Sequence, residues 1–307
     1  MGFCPSTRGR SPGDADLGET DAIVLHHILA QVAAEFQSLE ANLRQSFRVL
    51  AQGRPRADVA ELEGVSIASL GAAFQMFNAA FLNERVETRE ALEARIATAQ
   101  GLFTARRMAW SFWICEDWLS RPARRVLLRS CEQFGLRAVA EMPGMAAESI
   151  REPVAARTRS LVRPRATLPL SDVRLANTPA TMADFRAIGS VCFHVPPVWF
   201  AEVFDDAMPS RPFICWVGYV DSRPVATAAT VVSHGVIGLY NVATMPDERG
   251  KGYAEAITRH AIGMASRQSG LQRVILQSTA LGERLYKRLG FREVSRLVVF
   301  NSATRIY

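Results

Sequence analysis

A glycine-containing junction between an apolar strand and a helix constrains the fold of this chain more than any other segment. The junction reads YNVATMPDERGKGYAEA, and the apolar run from Val236 to Met245 at its start predicts a buried strand. Gly250 and Gly252 permit backbone conformations that are closed to other residues and let a ligand approach closely. The helix that follows offers free N–H groups and the positive end of a dipole, which suit a pyrophosphate. A plain turn before a helix has the same pattern, so this segment alone leaves both interpretations open.

A second segment, nearer the C-terminus, reads ILQSTALGERLYKRLGF. In it a strand from Arg273 to Gln277 ends in Ser278 and Thr279, and a short helix carrying Tyr286 ends at Gly290. Hydrophobic periodicity predicts further strands in this half at Val173 to Ala176, Pro212 to Val220, Val225 to Val232 and Val294 to Phe300. It predicts helices near Met182 to Ser190 and at Pro197 to Met208. The helix after the glycine loop is predicted to end at a C-cap, Gly270. A sheet interrupted by helices in this order indicates an α/β (α+β) fold.

Together the two segments resemble the GNAT acetyltransferases. The family's loop motif, Q/R-x-x-G-x-G/A, is matched by Arg249, Gly252 and Ala254. Its helix motif, Y-x-x-x-G-F, is matched by Tyr286, Gly290 and Phe291. The resemblance covers residues 171–307 and implies a central, mixed, mostly antiparallel sheet flanked by helices. It also implies acetyl-CoA as the acyl donor.

The resemblance further implies a role for each matching residue. The backbone of the cofactor strand would pair with the pantetheine arm at Val242, Ala243 and Thr244. The pyrophosphate would be held by Arg249 and by the loop and helix start, namely Gly250, Lys251, Gly252, Tyr253, Ala254 and Glu255. Tyr286 would protonate the departing coenzyme A thiolate, and a tyrosine that only packs its helix on the sheet is the alternative. Thr279 stands where the family often has an asparagine that contacts the cofactor, so that contact stays open.

A general base for the incoming amine is not evident. Many family members carry a glutamate on one of the two splayed strands, and the matching positions here are Gly238 and Val274. Neither side chain can accept a proton, so deprotonation would use another group or water, or would not be needed. His234, before the cofactor strand, and His194, in the segment that usually lines the acceptor pocket, are candidates. A surface or core histidine is the alternative for each.

The acceptor side of the site is less defined by the sequence. The segment CFHVPPVWF supplies three aromatic residues that would shape an acceptor pocket, or else belong to the core, namely Phe193, Trp199 and Phe200. The acceptor in this interpretation is a small-molecule or peptide amine. We expect the protein to be a monomer or a homodimer.

The N-terminal half contains a weak repeat of the same motifs. The segment QMFNAAFLNERVETREALEARI is similar to GLYNVATMPDERGKGYAEAITR, with Asn78 opposite Asn241. The counterparts of the loop residues and of the tyrosine are Val86, Glu87, Thr88 and Cys131. A glutamate repels phosphate and the lost glycines keep the backbone away, so we expect this half to bind no coenzyme A and to shape the acceptor site or hold the two halves together. Chance similarity between two α/β segments is the alternative.

These features divide the chain into four segments. We expect a disordered tail over residues 1–20, a degenerate GNAT-like domain over 21–155, a linker over 156–170 and the GNAT acetyltransferase domain over 171–307. In the second segment, helical spacing links Ile28, Val32, Phe36, Leu39, Leu43, Phe47 and Leu50. Apolar runs near Val65 to Phe81 and Met108 to Cys115 alternate with helical patterns near Arg89 to Ala105 and Arg121 to Gln133.

Composition narrows the classes of function. The chain has 307 residues, a net charge of +6 and scattered arginines with no interleaved aromatic stripe, so we expect no nucleic-acid partner. No apolar run is long enough for a membrane span and no signal peptide is recognisable, which favours a cytoplasmic protein without a membrane partner. Five cysteines without a C-x-x-C pair and five histidines without metal spacing predict free thiols and no metal site.

The sequence therefore predicts an acetyltransferase that moves acetyl from acetyl-CoA to an amine by direct attack in a ternary complex. Two other functions fit the same residues. One is an acyl-CoA-responsive binding module without turnover, and the other is a transferase of another acyl group, because function depends on the site rather than on the fold.

Overall fold

A computed structural model of the protein describes residues 35–151 and 170–303. The expected tail and most of the expected linker lie outside the described residues, as do the first fourteen positions of the helical pattern that begins at residue 21. The described part contains eleven strands: β1 (Asp58–Leu62), β2 (Val65–Ser69), β3 (Asn78–Leu82), β4 (Ser111–Cys115), β5 (Leu136–Ala147), β6 (Asp172–Leu175), β7 (Ile214–Val220), β8 (Arg223–Ser233), β9 (Val236–Thr244), β10 (Val274–Gln277) and β11 (Arg292–Ser302). Its helices are α1 (35–51), α2 (Arg89–Ala105), α3 (Arg121–Gln133), α4 (Pro179–Phe193), α5 (Pro197–Val203), α6 (Tyr253–Ser269) and α7 (Glu283–Leu289).

All eleven strands form one sheet, in the order β1-β2-β3-β4-β11-β5-β10-β9-β8-β7-β6. The neighbours β3 and β4 are parallel, as are β9 and β10, and the other described pairs are antiparallel. The mixed, mostly antiparallel α/β architecture expected from the sequence is therefore present. We expected one sheet in each half, and the structure instead has a single sheet that runs through both.

The sheet is continuous because the two halves exchange strands at its centre. Strand β5 lies between β11 and β10, and β11 lies between β4 and β5. The contact of β5 with β10 runs from Val274 opposite Ala147 to Gln277 opposite Gly144. Each half thus completes its part of the sheet with a strand from the other half.

The helices cover the two faces of the sheet. Alternating side chains of β2, β4 and β11 point to α2 and α3, and those of β5, β7 and β10 point to α6 and α7, on the same face. The opposite face is covered by α1, α4 and α5. Helix α1 packs Leu39, Leu43 and Phe47 against strands of both halves. It is therefore the element of the N-terminal half that reaches furthest over the C-terminal strands.

The helix boundaries follow from local capping. The Thr88 hydroxyl accepts a hydrogen bond from Ala91 N at 3.2 Å and begins α2, and Ser120 does the same for α3 through Ala123 N. Gly270, at φ 74°, ends α6 in the left-handed conformation that glycine favours. The predicted helices at 89–105 and 121–133 and the predicted end of α6 are confirmed.

Candidate functional site

Strand β9 separates from β10 after only two paired positions. Ile237 pairs with Val274 and Gly238 with Ile275, and from Leu239 onward the described pairing of β9 is with β8. A parallel pair that opens in this way leaves one edge of β9 without its ladder hydrogen bonds to β10. That edge is available to an extended ligand.

A β-bulge accompanies the separation. Thr227 pairs with Ala243 and Ala229 with Tyr240, so two residues of β9 lie opposite one residue of β8. Asn241, at φ 49°, is one of the two, and its carbonyl accepts a hydrogen bond from Thr227 Oγ1 at 2.9 Å. A bulge bends a strand and increases its local twist, which accounts for the divergence of β9 from β10.

A cavity of about 280 Å³ occupies the opening between the two strands. On the side of the N-terminal half it is lined by residues of α1, of the turn before β3, and of β4 and β5: Leu43, Ser46, Phe47, Leu50, Met76, Phe77, Trp113 and Met142. The remaining lining residues belong to the C-terminal half: Phe193, Phe204, Phe213, Leu239, Tyr240, Asn241, Val242, Gln277, Thr279 and Tyr286. Because α1 and α7 lie on opposite faces of the sheet, the cavity passes through the sheet.

The loop after β9 forms an anion cradle at the start of α6. Gly250 has φ 78° and Gly252 has φ 90°, both in the left-handed region that favours glycine. A Cβ built on Gly250 would meet nothing within 4 Å, so the loop faces open space. Gly252 is the N-cap of α6, and no side chain of the described residues caps this helix end. Its backbone N–H groups are therefore available to a phosphate.

Two cationic side chains, one from the loop and one from β8, donate hydrogen bonds to the carboxylate of Glu248. Glu248 accepts from Lys251 Nζ at 2.6 Å and from Arg223 Nη2 at 3.1 Å. The hydrogen bond from Lys251, followed by the charges of both cations, lowers the pKa of Glu248. Together these three side chains carry one net positive charge beside the cradle.

The remaining predicted loop residues differ in position. Arg249 is exposed and its Nε donates to Thr244 O at 3.3 Å, while Glu255 pairs with Arg259 at 2.9 Å. Tyr253 is buried in the core with β8 and β9, so its side chain packs the helix and only its backbone faces the loop side. Ala254 is half-buried in the first turn of α6.

Tyr286 and Thr279 lie at the cavity, where the motifs led us to expect them. The Tyr286 side chain is 7% exposed and lies edge-on to Phe291, with ring centroids 5.7 Å apart. A phenol keeps its proton at neutral pH, and burial raises the pKa of this one further. Thr279 Oγ1 accepts from Gly282 N at 3.3 Å and so supports the start of α7. The arrangement provides a proton donor at the opening.

Of the three predicted strand residues, Ala243 is buried and Val242 lines the cavity. Thr244 is 9% exposed, and its Oγ1 is buried without a hydrogen-bond partner in the described part of the chain. Gln277 Nε2, across the opening on β10, is likewise buried without a partner among the described residues. Of these two residues Gln277 lines the cavity, so its unpaired amide is available to a polar ligand there.

Asn42 of α1 fills the space beside Gly238. It is 0% exposed, and its Nδ2 donates to Val231 O at 3.1 Å and to Ser233 Oγ at 2.9 Å. Its Oδ1 accepts from the Tyr240 hydroxyl at 2.6 Å. Sequence reasoning missed this contact, although an asparagine beside Leu39 and Leu43 on an apolar helix stripe signals a specific partner.

Neither candidate histidine lies at the cavity. His234 is in the turn between β8 and β9, where its Nδ1 is 3.2 Å from Ser233 Oγ, and burial followed by the charges of Arg44 and Arg48 lowers its pKa. His194 is exposed at the C-terminal cap of α4, and neither histidine is among the lining residues. The structure therefore gives neither histidine a position from which it could act on a group in the cavity.

The three aromatic residues near α5 also differ in position. Phe193 lines the cavity, whereas Phe200 is buried between α4 and α5, where a Cβ on Gly189 would lie 2.0 Å from its ring. Trp199 is outside the lining and stacks on Phe74 at 5.7 Å. Of this segment, only Phe193 reaches the opening.

The corresponding loop in the N-terminal half is closed by its own contacts. Val86 is buried and exchanges backbone hydrogen bonds with Trp118 O and Ser120 N, which joins the loop to the segment after β4. Thr88 caps α2, and Cys131 is on the buried face of α3. The N-terminal end of α2 is thus occupied by the chain's own hydroxyl.

The described residues contain no group of three or more histidine, cysteine or acidic side chains placed to hold a metal ion. None of their helices combines the length and the apolarity that a bilayer crossing requires.

Residues 211–293 match the family model described as an acetyltransferase (GNAT) domain. The match lies entirely within the C-terminal half. The matched segment runs from the start of β7 through the glycine loop to the start of β11, so it includes the opening, the cradle and Tyr286.

Solved structures share the fold over most of the chain. A GCN5-related N-acetyltransferase from Kribbella flavida is 18% identical with a TM-score of 0.62, covering 87% of this chain and 96% of that one. A conserved protein of unknown function from Staphylococcus epidermidis is 14% identical with a TM-score of 0.57, covering 80% and 94%. A GCN5-related N-acetyltransferase from Sphaerobacter thermophilus is 16% identical with a TM-score of 0.51, covering 78% and 76%. No curated protein matches the chain.

Proposed function

We propose that the protein is an acetyltransferase that moves acetyl from acetyl-CoA to an amine acceptor by direct attack in a ternary complex. The observation that carries this proposal is the presence of three features on and next to β9. The open edge of β9 and the buried phenol of Tyr286 border one cavity, and the glycine cradle lies in the loop that follows β9, at the start of α6. A thioester donor needs all three: a backbone partner for its arm, a site for its phosphates, and an acid for its leaving group.

The donor side is assigned to the C-terminal half. Backbone groups of Val242 to Thr244 pair with the pantetheine arm, and the N–H groups of Gly250 to Glu255 hold the pyrophosphate, with Arg249 and Lys251 adding positive charge. Thr279 borders the same path. The open space in front of Gly250 supports this assignment, because a side chain there would occupy the approach of the phosphates.

The acceptor side is assigned to the face covered by α1. Residues of the N-terminal half, Phe47, Phe77 and Trp113 among them, line the cavity on that face, opposite α7. The donor and the acceptor therefore reach the opening from the two faces of the sheet, which suits direct attack without a covalent enzyme intermediate. Holding the two reactants in line supplies much of the rate enhancement.

In this mechanism the chain contributes backbone N–H groups and one general acid. Backbone N–H groups of the splayed β9 edge stabilise the oxyanion of the tetrahedral intermediate. Tyr286 donates its proton to the sulfur as the carbon–sulfur bond breaks.

We further propose that the two halves are a tandem pair in which the N-terminal copy has lost its cofactor site. The mirrored order of strands about the β11–β5 pair supports a duplication. The Thr88 cap and the buried Val86 support the loss, because both occupy the place that a pyrophosphate would need. Binding of two equivalents of coenzyme A per chain would contradict it.

Thiol release tests the proposal directly. The protein is supplied with acetyl-CoA and a panel of amines, and free coenzyme A is measured against protein-free controls. We expect release that depends on the amine, and we expect acetyl-CoA to support it better than longer acyl-CoA analogues. Binding of acyl-CoA with no amine-dependent release would indicate a binding module, and faster release from a longer analogue would indicate transfer of another acyl group.

A further inference from the structure

The wall of the cavity carries no charge. Each lining residue belongs to the described part of the chain, and not one of them is acidic or basic. Its polar groups are neutral, such as the amides of Asn241 and Gln277 and the hydroxyls of Ser46 and Thr279. A protonated amine entering this space would therefore lose its hydration and gain no counter-ion, which is costly.

The positions that would supply a carboxylate are closed. A Cβ on Gly238 would lie 2.0 Å from Asn42 Oδ1, so the space for a side chain there is already taken. Val274 is 0% exposed within the core beneath α6. The cavity thus holds no group that removes a proton from an ammonium ion.

The wall on the acceptor side consists of packed rings. Phe47 stacks on Phe77 at 5.3 Å and meets Trp113 edge-on at 5.2 Å. Phe213 and Tyr240 lie 5.8 Å apart on the neighbouring wall. Flat apolar surfaces at these spacings favour a ligand whose body is itself flat and apolar, through offset stacking and edge contacts.

We propose that the acceptor is an arylamine, an amine that is uncharged at neutral pH and carried on an aromatic body. This inference rests on the proposed function, because it concerns the second substrate of the same site. The nitrogen lone pair of the amine attacks the thioester carbonyl carbon and the carbon–sulfur bond breaks. The sulfur leaves with the bonding pair, and one proton passes in net from the nitrogen to coenzyme A, giving an anilide and the free thiol. No prior deprotonation is needed.

Two isomers test the proposal. 4-Ethylaniline and 2-phenylethylamine share one formula and nearly one apolar body, but only the second is an ammonium ion at neutral pH. With acetyl-CoA saturating, we expect kcat/KM at neutral pH to be at least about tenfold higher for 4-ethylaniline. Between about pH 6.5 and 8.5 the rate with 2-phenylethylamine should rise about tenfold per unit, following its neutral fraction, while that with 4-ethylaniline stays level.

A carboxylate placed in the cavity should reverse the preference. Gln277→Glu puts an acid of the same shape at the opening, next to the approaching nitrogen. We expect it to shift the ratio of the two kcat/KM values at least about tenfold toward 2-phenylethylamine, because it supplies a counter-ion and a base. Gln272→Glu is the matched control, since Gln272 is exposed outside the cavity and hydrogen-bonds Ser266. The ratio should not change in that variant.

The outcomes separate this inference from the proposed function. If the wild-type protein uses 2-phenylethylamine as well as or better than 4-ethylaniline at neutral pH, the inference is wrong. If calorimetry detects acetyl-CoA binding but neither amine is acetylated, the inference about the acceptor is wrong, and the proposed acetyl-CoA site is not contradicted. If acetyl-CoA does not bind at all, the proposed function itself fails.

Discussion

Asn42 and Gly238 fit together so closely that the glycine has no room for a side chain. A Cβ at position 238 would lie 2.0 Å from Asn42 Oδ1 and 2.6 Å from the ring of Tyr240. The asparagine comes from α1 and the glycine from the cofactor strand. The N-terminal half is thus fixed against the strand that opens to form the cavity.

Replacing Gly238 with alanine should therefore destabilise the protein. The added methyl group would displace Asn42 from its buried hydrogen bonds, and we expect a loss of about 1–3 kcal/mol in the free energy of unfolding. Gly101→Ala is the matched control, because Gly101 lies inside α2 and a Cβ there meets nothing within 4 Å. That variant should be more stable by about 0.5–1 kcal/mol. Urea denaturation measures the free energy of unfolding of both variants. Equal changes in this free energy for Gly238→Ala and Gly101→Ala would contradict the close fit of Asn42 against Gly238.

Tyr286→Phe should lower turnover without weakening cofactor binding. We propose this buried phenol as the general acid of the reaction, and loss of a general acid lowers kcat by about 100-fold or more. Tyr219→Phe is the control, since the Tyr219 hydroxyl donates to Asp184 at 2.7 Å, away from the cavity. Thiol release gives kcat, and calorimetry gives the Kd for acetyl-CoA. A Tyr286→Phe enzyme with wild-type kcat would leave this tyrosine a packing role only.

Glu40 should make stability fall as pH rises from about 4.5 to 7. Burial raises the pKa of this carboxyl to about 7, against the opposing effects of Arg44 and Arg48. The folded state binds this proton more tightly than the unfolded state does. The resulting stabilisation is complete below the unfolded pKa of 4.5 and is lost as the pH rises through the folded pKa of about 7. In all it contributes about 3 kcal/mol to the free energy of unfolding.

Thermal denaturation across this range tests the contribution of Glu40. Glu40→Gln should flatten the slope, because the amide does not titrate. Glu63→Gln, which changes an exposed carboxylate, should keep it. An unchanged slope in Glu40→Gln would mean that this group does not bind the proton.

The C-terminal half should not fold without the N-terminal half. A fragment starting at residue 156 lacks β5, so the backbone groups of β10 and β11 that pair with it would be left open. We expect no cooperative unfolding transition for this fragment, and recovery of one when a fragment of residues 1–155 is added. Circular dichroism during heating measures both. A cooperative transition for the C-terminal fragment alone would contradict the importance of the strand exchange.

Local signals predicted much of the fold. Apolar periodicity and capping residues such as Thr88 and Gly270 fix helix ends through contacts within a few positions, and the structure agrees there. Strand β5 was missed because LRAVAEMPGMAA lacks alternation and contains Pro143 and Gly144, which are typical of turns. Its place between β10 and β11 depends on pairing between distant segments, which no local pattern encodes.

Only part of the candidate site was predictable from the sequence. The glycines and Tyr286 belong to motifs with fixed spacing. Phe77 and Trp113 reach the cavity, and Asn42 reaches Gly238, only because the two halves share one sheet. Lys251 was expected among the residues that hold the pyrophosphate, and its ion pair with Glu248, which was not expected, depends on the fold of the turn before it. Tyr253, expected in the cradle, is a core residue because its position faces the sheet.

Calorimetric titration with acetyl-CoA tests whether the loop at the start of α6 binds the cofactor. Gly252→Glu places a carboxylate at the start of α6, and Gly270→Glu makes the same change at its end, where the glycine also has a positive φ. We predict one equivalent bound by the wild-type protein and by Gly270→Glu, and none by Gly252→Glu. Binding of equal strength in all three proteins, or none by the wild-type protein at about millimolar acetyl-CoA, would contradict the assignment of this loop as the cofactor site.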